Sequence, residues 1–191
     1  LLVALVAARL ERIFQQMARR EARAALRLEV ADLLRTKGPR SLEDVAALMG
    51  AHFNVNRCGY GQLDPDDDIF DYDICWTDGS VPELLGRFPA AAFGVKIVAA
   101  LNRGETIVVG DLARDPVSDE PLTQSTSREV DTRAILVVPF VRGGRLRTIV
   151  YLNAREPRQW LADDVEFREE IAERTRLVIE RAEAEDKLVE L

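Results

Sequence analysis

The sequence predicts an α+β fold: a central, largely antiparallel sheet, helices on both sides of it, and a long helix at each end of the chain. Three observations carry that expectation. Charged stretches of helical periodicity open and close the chain. Two pairs of strand-like segments are separated only by turn signals, Asp64–Asp68 in one and Gly143-Gly144 in the other, and hairpins make a sheet antiparallel. With 47% apolar residues in 191, the chain can bury one core of ordinary domain size once the helical ends are set aside.

The opening repeat Val3, Val6, Leu10, Ile13, Met17 advances in steps of three and four, a heptad seam with Arg and Glu on the remaining faces. An isolated helix would leave this stripe in water, so it is expected to be a homodimer contact. Glu21 to Thr36 continues the helix with Leu26, Val30, Leu33 and Leu34 on one side, and Lys37-Gly38-Pro39 ends it. Ser41 with Asp44 reads as a capping box opening a second helix that runs to Gly50. Alternating residues from His52 to Leu63 predict a strand in which Gly59 and Gly61 permit close backbone approach. Asp64–Asp68 is the turn and Ile69 to Thr77 the returning strand. Gly79 to Gly94 reads as loop, Val95 to Asn102 as helix closed by Gly104, and Thr106 to Val109 as a short strand. Gly110 to Arg133 is an excursion with one short helix. Ala134 to Val141 and Leu146 to Asn153 form the last hairpin. The closing helix, Ala162 to Leu191, carries Val165, Ile171 and Val178 and then thins into polar residues. The expected division is a signalling helix over 1–20, a domain over 21–182 and the start of a linker helix over 183–191. Both ends read as parts of a longer chain, with the middle a sensory or regulatory module.

Composition removes several function classes. A net charge of −7 and a pI near 4.9 leave no basic face for nucleic acid. Arg19, Arg20, Arg23 and Arg27 are interleaved with Glu21 and Glu29, which makes a solvated helix face. LLVALVAA at the start is about a third of a membrane span. Two cysteines, Cys58 and Cys75, fit a reducing cytoplasm without a structural disulfide. His52 is the single histidine, so no metal ligand set and no phospho-accepting His on a terminal helix is expected. The Asp64–Asp68 run lacks the Gly and Glu of a calcium loop, and no Gly-rich strand-to-helix turn cradles a phosphate. The first and last helices can share one face of the sheet, leaving a small-molecule pocket on the other. Its candidate contacts are Tyr60, Tyr72, Trp76, Phe88, Phe93 and Phe140, with Thr132 and Arg133 as polar anchors at the mouth.

From about Leu26 to Glu183 the chain resembles a GAF domain, and more narrowly the GAF domains of bacterial multidomain sensor histidine kinases. The matching stretches are NRCGYGQLD, WTDGSVPELLGR, FG before the central helix, GETIVVGDLARDP, ILVVPFVRGGRL and WLADDVEFREEIAERTRLVIERAEAE, in that order. The resemblance implies a six-stranded antiparallel sheet, a small-molecule pocket on one face, and a helical pair on the other that often dimerises. It names no cofactor, since GAF domains take cyclic nucleotides, tetrapyrroles, haem or amino acids, and some take nothing known. Two departures narrow the choice. Asn153 is followed by Ala154 where cyclic-nucleotide members carry Asn-Lys, and Gly110 to Arg133 holds neither the Cys nor the His of bilin-binding members. The expected function is a non-catalytic sensory domain that relays a signal to a downstream kinase or other output domain. The alternatives are a thiol reductase acting on methionine sulfoxide through Cys58 or Cys75, and a purely structural dimerisation module.

Overall fold

The computed structural model describes residues 2–64 and 66–189, without the side chains of Glu183 and 186–189. The opening helix and its expected continuation from Glu21 to Thr36 form one 36-residue helix, α1 (Leu2–Lys37), which ends at Gly38 with a φ of +56° that glycine adopts freely. A 3₁₀ turn, Gly38–Ser41, leads into α2 (Leu42–Phe53). The expected capping box is not formed. Ser41 has helical backbone angles in that turn, and its hydroxyl donates back to the Gly38 carbonyl at 2.6 Å.

Helix α2 also runs through His52 and Phe53, where a strand was expected. It stops at Asn54, whose φ of 49° is left-handed, and β1 (Arg57–Asp64) starts three residues later. The alternation of Phe53 and Val55 is the helix end and its cap packing into the core, and both are buried. Strand β2 (Ile69–Thr77) follows, and then β3 (Gly86–Pro89) forms inside the stretch expected to be loop. Only one side of β3 is paired, so its proline removes no ladder bond. The remaining elements are α3 (Val95–Asn102), β4 (Ile107–Val109), α4 (Pro121–Glu129), β5 (Ala134–Arg142), β6 (Arg145–Ala154) and α5 (Ala162–Val189).

All neighbouring strands are antiparallel, in the order β3-β2-β1-β6-β5-β4. The sheet separates two apolar layers. On one face α1, α2 and α5 cover Cys58, Tyr60, Leu136, Val138, Val150 and Leu152. On the other, α3 and the connecting segments cover Leu63, Phe70, Tyr72, Ile135, Val137, Ile149 and Tyr151. Helix α5 buries Phe167, Ile171, Ala172, Thr175 and Ile179, while Val165 and Val178 lie half-buried at the flanks of that stripe. Arg23 reaches Asp164 at 2.8 Å and Arg27 reaches Glu170 at 2.7 Å, so contacts advance together and α1 and α5 run parallel. No helix among the described residues is long and apolar enough to cross a membrane.

Candidate functional site

A bulge in β2 decides which residues face the covered cavity. Tyr60 pairs with Ile74 and Gln62 with Asp71, so β2 spends three residues where β1 spends two. Side-chain alternation therefore resets: Phe70 and Tyr72 face α3, while Ile74 and Trp76 face α2. Regular pairing would have put all four on one side. Glycines then let the rings lie close. A Cβ on Gly59 would fall 2.5 Å from the Tyr151 hydroxyl, and one on Gly61 2.7 Å from the Tyr72 ring.

The result is a cavity of about 70 Å³ walled by Phe70, Tyr72, Phe93, Ile97, Val98, Leu101, Leu112, Ile135, Val137 and Ile149. Its polar lining comes from Thr123, Thr126 and Ser127 of α4 and from Thr132, Tyr151 and Asn153. Thr123 Oγ1 is buried and has no hydrogen-bond partner, and the buried Tyr151 hydroxyl has only the Cys75 sulfur, a weak acceptor, beside it. Burial pushes the Tyr72 and Tyr151 phenols up, so both stay protonated.

Behind this polar end lies Arg57, 0% exposed and paired across the strands with Asn153. Its Nη1 donates to Thr132 Oγ1 at 3.0 Å, its Nη2 to the Val130 and Pro82 carbonyls at 2.7 and 2.6 Å, and its Nε to Pro82 at 2.9 Å. No carboxylate among the described residues forms an ion pair with it, and burial lowers its pKa. The nearby Asp131 carboxylate is 3.0 Å from Arg155. Sequence reasoning passed over Arg57, Tyr151 and Asn153. The signal was there in their pairing: Arg57 shares a strand face with Gly59 and Gly61, the glycines that pocket rings need.

Of the eight expected contacts, Tyr72, Phe93 and Thr132 line the cavity. Phe88 stands behind, its ring edge-on to Tyr72 and Phe93 at 5.8 and 5.9 Å. Tyr60, Trp76 and Phe140 are corrected to the opposite side of the sheet, within the helix-covered core, where Trp76 packs on Gly50. Arg133 is not at the cavity: it holds Asp111 in a two-pronged contact at 2.8 and 3.0 Å, which keeps that carboxyl below its usual range.

Cys58 lies opposite Trp76, and Gly59 opposite Cys75, so the two thiols sit on opposite faces of the sheet and cannot bond to each other. Burial pushes the Cys58 thiol up to about 11. The Cys75 sulfur, half-buried on the cavity side, accepts the Leu84 N–H at 3.2 Å. His52 packs against Phe53 and Phe167, and burial lowers its pKa. Among the described residues no three His, Cys, Asp or Glu side chains converge as a metal site. Val3, Val6, Leu10, Ile13 and Met17 are 44–81% exposed on α1.

A sequence profile of the GAF domain matches residues 39–179. A search of curated proteins finds no match. Solved structures similar to this chain include the phycocyanobilin-bound GAF domain of a cyanobacterial phytochrome, with a TM-score of 0.71 and 16% identity over 85% of this chain and 96% of that one. The chromophore-binding domain of the bacteriophytochrome RpBphP3 from R. palustris gives 0.70 and 16%, over 84% of this chain and 62% of that one. A free methionine-R-sulfoxide reductase from Neisseria meningitidis, in complex with its substrate, gives 0.62 and 21%, over 89% and 91%. At such identities the likeness is one of fold.

Proposed function

The chain belongs to the GAF domain family, and on that premise we propose that it is a non-catalytic sensory domain of a cytoplasmic signal-transduction protein, a two-component sensor histidine kinase. In this reading it forms a parallel homodimer through its terminal helices and passes a signal to an output domain along α5. The observation that carries the reading is the parallel pairing of α1 with α5. The exposed first half of α1 projects about 30 Å from the end of the domain where α5 begins, and α5 continues past the level of Lys37 at the other end. Input and output helices are thereby joined across one packed layer, so a shift in one is felt by the other.

Helical phase supports the dimer. At about 100° per residue, Val3, Val6, Leu10, Ile13 and Met17 lie within about 40° of one line, and Leu26 and Val30 lie on the opposite side, against the domain. Leu28, 74% exposed, falls on the same line as the seam. Glu21 and Ala24 occupy that line between Met17 and Leu28, so the apolar seam is confined to the projecting half of α1. Sedimentation at roughly tens of micromolar should give a dimer, and Leu10→Glu with Ile13→Glu a monomer. A monomeric unmodified chain would sink the reading.

The reductase reading has a structural relative in its favour, but the thiols weigh against it. Cys58 is buried and protonated, and Cys75 stands on the other face with no second thiol beside it. A Cys58→Ser, Cys75→Ser double variant should keep the fold, and the unmodified chain should turn over no free methionine sulfoxide. Measurable turnover lost in that variant would promote the enzyme.

A further inference from the structure

We propose that the cavity binds a short-chain carboxylate, with the carboxylate at the Arg57–Asn153 end and the aliphatic tail against Phe93, Ile97 and Val137. The inference rests on the reading of this cavity as a ligand site and names the class of ligand. Size sets the first limit. A void of about 150 Å³ holds benzene, and this one is about 70 Å³, which suits a ligand of a few non-hydrogen atoms.

Charge sets the second limit. Arg57 is a fully buried cation whose hydrogen-bond acceptors are all neutral, two carbonyls and one hydroxyl. The nearby acid, Asp131, is taken by Arg155. A buried charge without a counter-charge is costly, and an arriving anion offsets that cost. Arg57 is not itself a wall of the cavity, but its hydrogen-bond partner Thr132 and its cross-strand neighbour Asn153 are. Hydrogen bonding points the same way. Thr123 Oγ1 is a buried donor without an acceptor, the buried Tyr151 hydroxyl has only the weak Cys75 sulfur beside it, and both residues line the cavity. The rest of the wall is apolar, which calls for a tail and not a bare inorganic anion.

The test is thermal unfolding of the 191-residue chain at fixed ionic strength with acetate, propionate or butyrate, against propionamide, 1-propanol and nitrate. The carboxylates should raise the melting temperature, with an optimum in chain length, and the neutral isosteres and nitrate should not. Tyr151→Phe keeps the ring and removes a donor whose neighbour in the free protein is the weak Cys75 sulfur, so it should weaken propionate binding roughly ten- to a hundredfold with little effect on the stability of the free protein. Asn153→Asp supplies a carboxylate opposite Arg57. It should raise the melting temperature of the free protein and abolish the propionate response. Equal stabilisation by propionamide or propanol overturns the anion, equal stabilisation by nitrate overturns the tail, and no response to any probe overturns the site. A propionate response surviving in Asn153→Asp also overturns the proposal. Each of these failures leaves the dimeric relay standing, because the sedimentation experiment decides that separately.

Discussion

Arg168 of α5 has no solvent contact, and its Nε and Nη1 have no hydrogen-bond partner. Its Nη2 approaches the Cys58 sulfur at 3.9 Å, and burial pushes the neighbouring Cys58 and Tyr60 up, so both are neutral. A guanidinium in that setting loses its hydration with nothing ionic in return. Arg168→Met keeps the length and removes the charge, and should stabilise the chain by about 1–3 kcal/mol, a rise of a few degrees in melting temperature for about this length. A clear fall would show that the guanidinium has an acceptor in solution. Arg168 and Arg57 also mark where residue-level reading fails. Charged residues are taken as surface, and that rule holds for nearly every Lys, Glu and Asp in this chain. Only spacing could have flagged these two: Arg168 sits among Phe167, Ile171 and Ala172 in the buried stripe of α5, and Arg57 on the glycine face of β1.

At the level of elements, legibility followed the strength of the local signal. The Gly143-Gly144 turn, with φ of 59° and 73°, gave the last hairpin, and Gly38 the end of α1, because positive φ leaves a mark in composition. The β2 bulge and the edge strand β3 left none. A bulge is a pairing event between two strands, and four residues of an edge strand carry too little pattern to read. That is why Trp76 was assigned to the cavity with Tyr72. The α1–α5 pairing has a pH signature. Arg27 donates twice to Glu170, at 2.7 Å each, and, with a smaller contribution from Arg174 of α5 itself, holds that carboxyl at about 2, below its unfolded value near 4.5. The folded pKa is the lower one, so the contribution is complete above about pH 4.5 and is lost as pH falls toward about 2. Both side chains are more than a third exposed, so solvent screening limits the effect to at most about 1 kcal/mol. Glu170→Gln should therefore lower the urea midpoint slightly at pH 6, and the two proteins should converge in acid. A constant gap across that range would mean that packing, and not the ion pair, carries the contact.

For the whole molecule the question is whether α1, the sheet layer and α5 act as one rigid transmitter. The domain fixes α5 through Phe167, Ile171, Thr175 and Ile179, all buried, while Arg181, Ala184 and Glu185 are out of the core. Among the described side chains none after Ile179 is buried in the domain, so a signal survives only if helical phase is kept into the next module. Two residues inserted after Ala184 turn everything downstream by about 200° at 3.6 residues per turn, while seven restore the face to within about 20°. In the full-length protein the two-residue insertion should disrupt or invert output control, and the seven-residue one should largely preserve it. The readout is output activity in the two variants beside the unmodified protein. Length alone cannot explain the expected order, because the longer insertion is the one that should be tolerated. Equal regulation by both would make α5 a passive tether and leave the chain as a dimerisation module whose cavity serves packing alone.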